Sequence, residues 1–292
     1  MSRILVIRHG AFGDIVLSFP AMAAIRAHHP GDEITLLTTK LYAGLLGASP
    51  WFDHIEVDAK PEWWNLPGLR RLRRQLRGFD MVYDLQTSGR SSRYFTLAGA
   101  PSWSGIAEGC AFPDDPSRIT LHTRERLEQQ LRLAGIPSLP APDLSWLSGP
   151  LPVDLPAHYA VLVPGAAPHR PEKRFPAEKF REVAAGLEMQ VVVVGSAGEQ
   201  PLAQIIGGID LTGKTDFLQL APVLRGAALA IGNDTGPMHL AAALGTPCVS
   251  LFSSASNPAL TAPRLPDGGW PITLRRKTLA ELPVAQVLAA LP

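Results

Sequence analysis

Two stretches of the chain gather residues that bind anions. "GNDTGPMHLAAALGTP" runs from Gly232 to Pro247, where an apolar run gives way to an alanine-rich segment. Thr235 or Asp234 can cap a helix there, Gly236 admits close backbone approach, and Pro237 suits a first helical turn. The N–H groups of such a terminus form an anion site, and His239 would project toward it from the first turn. A capped helix without function accounts for Asp234 to Pro237 but leaves His239 unexplained. The second stretch, "PGAAPHRPEKRFP" (Pro164–Pro176), brings His169, Arg170, Lys173 and Arg174 to the end of another apolar run. Cations so placed suit a phosphate-bearing ligand; a solvated charged loop is the plain alternative. Taken together, the two stretches read as a diphosphate site.

Proton transfer points elsewhere. "RHGAFGD" (Arg8–Asp14) lies at the first apolar-to-helical turn, with Gly10 and Gly13 expected to let the backbone bend. Asp14 is the candidate base. An acid in the first turn of a helix is also favoured by the helix dipole alone. No G-x-G-x-x-G follows the first strand, so a nicotinamide-dependent dehydrogenase is a distant reading. "GGIDLTGKT" fits the phosphate-loop pattern at Gly208, Gly213, Lys214 and Thr215, but "IDL" reads as a strand inside the supposed loop, against an ATPase. "PEWWNLPGLRRLRRQLRG" sets five arginines (Arg70, Arg71, Arg73, Arg74, Arg77) on a helix whose leucines, Leu69, Leu72 and Leu76, share one face. That pattern suits an anionic acceptor or a membrane surface, or a surface helix packed on a sheet. No His/Cys set suggests zinc, the "EVD" at Glu56–Asp58 falls in a strand, and no G-x-S-x-G elbow occurs.

The elements that must position these residues alternate. "RILVIR", "EITLLTT", "HIEVD" and "DMVYDLQ" read as strands. "DIVLSFPAMAAIRAHH" reads as one helix, with further helical patterns at Leu66–Leu76, Ser91–Leu97 and His122–Ala134. Alternation of this kind predicts an α/β chain with parallel sheets covered on both faces. Six prolines between Ile136 and Pro156 interrupt it and place a domain boundary near residue 150. The pattern then restarts at "YAVLVPG" and runs on through "QVVVVGS", "ALAIGN" and "PCVSLF". Two α/β domains are expected, residues 1–150 and 151–292, with a last helix around Val284–Leu291 free to pack on either.

Composition bounds the partners. The net charge of +1 across 292 residues offers no global field for nucleic acid. Two cysteines, Cys110 and Cys248, imply no disulfide framework and a reducing cytoplasm. No apolar run reaches the roughly 20 residues of a membrane span, and the first residues lack a signal-peptide layout.

In order along the chain, "GAFGDIVLSFPAMAAIR", "YDLQTSGRSS", "LVPGAAPHRPEKRFPAEKF", "DLTGKTDFLQLA" and "GNDTGPMHLAAALGTPCVSLF" resemble glycosyltransferase family 9, the ADP-heptose:lipopolysaccharide heptosyltransferases. The resemblance implies a GT-B fold of two Rossmann-like domains facing a central cleft. It also implies an inverting transfer from a nucleotide sugar, without cofactor or obligatory metal. Asp14 falls at the catalytic-base position. Gly13, Lys173, Asp234, Thr235, Gly236, Pro237 and His239 fall at donor-binding positions, and Gln86, Ser88 and Arg90 lie in the matched acceptor-side stretch. The implied partners are ADP-heptose and an anionic glycolipid or oligosaccharide acceptor, with no nucleic acid. The implied location is the cytoplasm, peripheral contact with the inner membrane being an option. The chain departs from the family after "SLF", where "SSASNPAL" replaces a "GPT"-like turn, and in "PHRPEK" before the lysine. Another nucleotide-sugar donor, or a non-catalytic sugar-nucleotide-binding protein, are the alternatives these departures leave.

Overall fold

The computed structural model describes residues 1–166 and 171–291. The chain forms two compact units, Met1–Pro142 and Asp143–Pro292. In the first, β1 (Arg3–Ile7), α1 (Phe12–Leu17), α2 (Phe19–His28), β2 (Glu33–Thr38), α3 (Lys40–Gly47), β3 (His54–Val57), α4 (Leu66–Leu76), β4 (Met81–Asp84), α5 (Gly89–Ala98), β5 (Ser102–Gly105), β6 (Phe112–Pro113) and α6 (Thr123–Leu133) follow in turn. All strand pairs are parallel, in the order β3-β2-β1-β4-β5-β6. The near-continuous apolar runs are explained by this: a parallel sheet is buried on both faces, and Ile4, Leu5, Val6 and Ile7 are all inaccessible.

The second unit comprises β7 (Tyr159–Val163), α7 (Ala177–Ala185), β8 (Gln190–Val193), α8 (Gln200–Ile206), β9 (Ile209–Asp210), α9 (Phe217–Arg225), β10 (Leu229–Asn233), α10 (Gly236–Ala243), β11 (Cys248–Phe252), α11 (Pro258–Thr261), β12 (Ile272–Arg275) and α12 (Val284–Ala289). Its parallel sheet has the order β12-β11-β10-β7-β8-β9. Both orders are the doubly wound 3-2-1-4-5-6 arrangement, the second running from the opposite edge. In each, the winding reverses between the unit's first and fourth strands, and a crevice opens at their carboxyl ends. Those strands are β1 and β4 in one unit and β7 and β10 in the other.

Several sequence expectations are refined. The single helix expected after Asp14 is two, α1 and α2, separated at Ser18. Pro20 has no N–H to give residue 16, so the helix restarts around it. The proline-rich stretch divides, because Asp143 onward joins the second unit. Leu147 is fully buried, and the Arg225 guanidinium donates to the carbonyls of Leu144 and Leu147 at 3.0 and 3.1 Å. The last helix, α12, packs on the second unit through Val287, with Val284 and Leu288 beside it. In the phosphate-loop look-alike, β9 occupies the middle, and Lys214 donates to the Asp210 carbonyl at 2.7 Å. No cradle of N–H groups is possible with a strand there.

Helix α4 resolves its two readings in part. Leu72 and Leu76 are buried in the core with Tyr94 and Trp103, while all five arginines are exposed. The leucine face therefore belongs to the fold. Leu76→Ala is expected to cost about 2–5 kcal/mol of first-unit stability, and Arg73→Ala less than about 0.5, in urea unfolding followed by tryptophan fluorescence.

Candidate functional site

Each unit concentrates its reactive residues at its own strand-order reversal. In the second unit, Asn233 ends β10 and reaches the loop that follows its paired neighbour β7. Its Nδ2 donates to the Pro164 carbonyl at 2.7 Å, and its Oδ1 accepts from the Phe175 N–H at 3.0 Å. That bridge fixes the loop carrying Lys173. The Lys173 Nζ donates to Asp234 Oδ2 at 2.7 Å, and His239 Nε2 lies 3.7 Å from Asp234 Oδ1. Burial alone would raise the Asp234 carboxyl, but His239 and Lys173 outweigh it and hold it down at about 2. It is therefore an anion across the working pH range.

The expected cap of α10 is corrected. Neither Asp234 nor Thr235 caps the helix with its side chain; the Thr235 hydroxyl instead donates to the Asn233 carbonyl at 3.2 Å. Asp234 instead faces Lys173 and His239. Gly236 and Pro237 open α10 as expected. His239 is buried, and its Nδ1 has no hydrogen-bond partner among the described residues. Arg174 donates to the Ala166 carbonyl at 3.1 Å. His169 and Arg170 lie outside the described residues.

Sequence reasoning missed Glu199. It follows β8, and its Oε2 accepts from the Ser196 N–H at 2.6 Å. Its carboxylate lies so close over Gly165 and Gly195 that a Cβ at either position would collide with it. Two glycines ending adjacent strands, followed by an acid, were the available signal. An acid after the second strand of such a unit is placed to accept from ribose hydroxyls.

In the first unit, Asp14 sits in the first turn of α1, with its side chain 44% exposed. Its Oδ2 accepts from the Ala11 N–H at 3.2 Å. Gly10 has φ +125°, and a Cβ there would stand 2.5 Å from the Tyr42 ring, so a glycine is required. Gly13 is different from the expectation: it lies inside α1 and is not among the residues of positive φ, so its backbone freedom is unused. Arg8, from the same motif, is buried. It donates to the carbonyls of Leu85 and of Asp14, the latter at 2.8 Å, and so ties the end of β1 to the end of β4.

The acceptor-side candidates separate. Gln86 accepts from the His9 N–H at 2.8 Å and, with Arg8, Asp14, Thr87, Arg118 and Arg126, lines a cavity of about 210 Å³. Ser88 caps α5 by accepting from the Ser91 N–H at 3.1 Å. Arg90 is engaged inward: it donates to Tyr94 Oη at 2.9 Å and to the Pro61 carbonyl, and it covers the Trp63 ring. Tyr94 in turn donates to Asp58, which faces His9 at 3.0 Å. The "EVD" acid thus anchors a buried histidine. Among the described residues no group of three or more His, Cys, Asp or Glu could hold a metal.

Asp84 ends β4 with no exposure. Its Oδ1 accepts from the Gln86 and Thr87 N–H groups at 3.1 and 3.0 Å. Burial pushes its carboxyl up to about 6 despite those bonds. An acid raised on folding loses stability as pH rises from its unfolded value through its folded one. Between pH 4 and 7 the wild type is expected to lose stability against Asp84→Asn, on the order of 3 kcal/mol, in unfolding curves taken at each pH.

Relatives share this fold. The "Lipopolysaccharide core heptosyltransferase OpsX" of Haemophilus influenzae is 24% identical over 286 residues, covering 88% of this chain and 80% of its own. The solved glycosyl transferase family 9 protein of Veillonella parvula superposes with a TM-score of 0.81 at 23% identity, covering 99% of this chain and 95% of that one. The E. coli heptosyltransferase WaaC, solved with ADP, gives 0.74 at 21%, covering 98% and 97%. These likenesses show the α/β, GT-B fold. The family model for glycosyltransferase family 9 (heptosyltransferase) matches residues 69–267, more than half of the sequence. This chain belongs to that family and is a glycosyltransferase.

Proposed function

We propose that this glycosyltransferase moves a heptose from ADP-heptose to an anionic acceptor of the lipopolysaccharide-core type, with inversion and without a metal. The observation that carries the reading is the Lys173 ammonium held on Asp234 at the strand-order reversal of the second unit. A lysine has three donors and Asp234 takes one, which leaves others for a diphosphate. Asp234 then positions Lys173 rather than touching the donor. The α10 N-terminus adds N–H donors, and Glu199 would accept from the ribose. The E. coli relatives were solved with ADP and with ADP-2-deoxy-2-fluoro heptose, which supports an adenine donor here.

In the proposed reaction, an Asp14 carboxylate oxygen takes the proton of the acceptor hydroxyl as that oxygen attacks the anomeric carbon. The carbon–oxygen bond to the diphosphate breaks on the opposite face, so a single displacement inverts the configuration. ADP departs with the bonding pair, its charge met by Lys173 and the α10 N–H groups. A diphosphate is a good leaving group, so one carboxylate suffices where glycoside hydrolysis normally uses two.

The altered turn supports a second reading, a different sugar nucleotide. Ser253 Oγ accepts from the Ala255 N–H at 3.2 Å, and Ser254 donates to the Lys277 carbonyl. This replaces whatever the family's turn presents. Peripheral membrane contact is a further part of the proposal: Trp64 is 79% and Leu66 61% exposed beside the arginines of α4, a pairing suited to an anionic bilayer surface. No helix among the described residues is long and apolar enough to cross one.

Calorimetry with ADP, UDP and GDP, with and without EDTA, tests the donor. ADP is expected to be preferred and insensitive to EDTA, and Lys173→Ala to weaken it about tenfold or more. Preference for another nucleotide would keep the reaction class and overturn the heptose donor. Asp14→Asn should lower turnover by about 10²–10⁴-fold with ADP affinity unchanged; loss of both would give Asp14 a structural role instead.

A further inference from the structure

We propose that Arg90, Tyr94, Asp58 and His9 form one positioning chain for the catalytic base, which locks the turn that aims Asp14. The inference rests on the reading of Asp14 as base and deepens it. All these residues belong to the first unit. The Asp14 carboxylate is half exposed, as a group that meets an acceptor must be. What fixes its direction lies just before it in the chain, where the Ala11 N–H donates to Asp14 Oδ2 at 3.2 Å. The aim of the carboxylate therefore follows the backbone from His9 to Ala11.

That backbone is gripped at His9. The His9 N–H donates to Gln86 Oε1 at 2.8 Å, and its carbonyl accepts from the Thr39 hydroxyl at 3.1 Å. The ring is the third grip. Its Nε2 stands 3.0 Å from Asp58 Oδ2, and neither side chain is more than 4% exposed. Asp58 is held in turn: its Oδ1 accepts from the Lys60 N–H and its Oδ2 from the Tyr94 hydroxyl, both at 2.7 Å. Burial works against a charge on Asp58, but His9, Tyr94 and the Lys60 N–H outweigh it and hold the carboxyl below its ordinary range. Burial, with the Asp58 carboxylate beside it, pushes the Tyr94 hydroxyl up, so Tyr94 stays a donor. Arg90 closes the chain. Its Nε donates to Tyr94 Oη at 2.9 Å, its Nη2 donates to the Pro61 carbonyl, and its Cζ lies 5.0 Å from the centre of the Trp63 ring.

Such a chain is a poor way to gain stability. Apolar side chains of the same volume often do as well as a buried ion pair, and Tyr94 already packs in the apolar core with Leu72 and Trp103. A satisfied polar network does impose one geometry, and a catalytic group must be held within about 0.5 Å of its working position. A network of that kind directly behind the base turn supplies the precision that an exposed carboxylate on a short helix lacks. The chain also reassigns Arg90. With its guanidinium turned to Tyr94, Pro61 and Trp63, Arg90 acts on the reaction through Asp14 and does not touch the acceptor. Tyr94 and Asp58 are positioning residues for the same reason, separated from Asp14 by 80 and 44 positions in the sequence.

Amide hydrogen exchange on the ligand-free full chain tests the lock, and steady-state transfer tests its purpose. Tyr94→Phe keeps the ring in the core and removes only the hydroxyl. It is expected to speed exchange of the His9 and Ala11 amides about tenfold, the effect of one lost hydrogen bond on a local opening, while amides of β7 and β10 keep their rates. In transfer from ADP-heptose to a heptose-free lipopolysaccharide core, Tyr94→Phe and Arg90→Gln should each lower kcat by about ten- to a hundredfold, with acceptor KM and ADP affinity unchanged. Arg90→Lys, which can still donate to Tyr94, should recover part of that loss. In an Asp14→Asn background, Tyr94→Phe should lower turnover no further, because a missing base has no aim to lose; a merely structural role predicts the same factor in both backgrounds. Unchanged exchange or unchanged kcat in Tyr94→Phe would overturn the proposal and spare the base reading, as would full additivity with Asp14→Asn. A raised acceptor KM with kcat intact in Arg90→Gln would remove Arg90 from the chain and return it to the acceptor. Undiminished turnover by Asp14→Asn alone would sink the base reading, and this inference with it.

Discussion

The hydrogen bonds of Asn233, at the end of β10, to the loop after β7 are the constraint on which the second unit's chemistry depends. Where the winding of a doubly wound sheet reverses, the loops after two paired strands diverge to opposite faces, and both must be held without a connecting turn. Asn233 does this with one amide, donating to Pro164 and accepting from Phe175. The loop so held ends at Lys173, and the residue after Asn233 is Asp234. The ammonium and carboxylate thus meet because a neighbouring side chain fixes both backbones. Burial works against the charge on Asp234; Lys173 and His239 favour it, and that charge keeps Lys173 in place.

The first unit solves the same problem with a cation. Arg8 leaves β1 and donates to the carbonyl after β4, so a guanidinium spans the reversal where an amide does in the other unit. Asp14 sits beside this charge, and the buried His9–Asp58–Tyr94–Arg90 chain secures the residue just before Gly10. The base therefore stands on a short helix whose approach is pinned on three sides: by Gln86 at the His9 N–H, by Thr39 at the His9 carbonyl, and by Asp58 at its ring.

Much of this was legible in one dimension. Apolar runs of four to six residues marked β1, β2, β7, β8, β10 and β11, since strands covered on both faces need no alternation. Lys173, Asp234 and His239 stood out because their types are out of place in a plain helix cap. Other elements carried no such mark. "SWSG" forms β5 although it has one large apolar residue, because Trp103 alone fills the space beside Phe95 and Tyr94. Phe112–Pro113 pairs only through its neighbour β5. Arg90 looked like a ligand for an anion, yet its guanidinium is occupied by Tyr94, Pro61 and Trp63. Arg118 and Arg126 lay in segments with no motif, and Glu199 was marked only by the glycines after β7 and β8.

What the sequence determined by itself was local: the order of strands and helices, the turns that open after β1, β7 and β10, the leucine stripe of α4, and the residue types that could bind phosphate or accept a proton. These follow from periodicity, glycine and proline placement, and side-chain chemistry within a few residues. Tertiary structure decided what depends on residues distant in the chain. It joined Lys173 to Asp234 across 61 positions, settled which arginines are held by carbonyls, and raised the Asp84 carboxyl to about 6 by burial. It also made Asp234 a brace instead of a cap. The physical reason is that charge and burial are properties of surroundings. A carboxylate's partners, and the water it loses, are set by whichever strands the sheet places side by side.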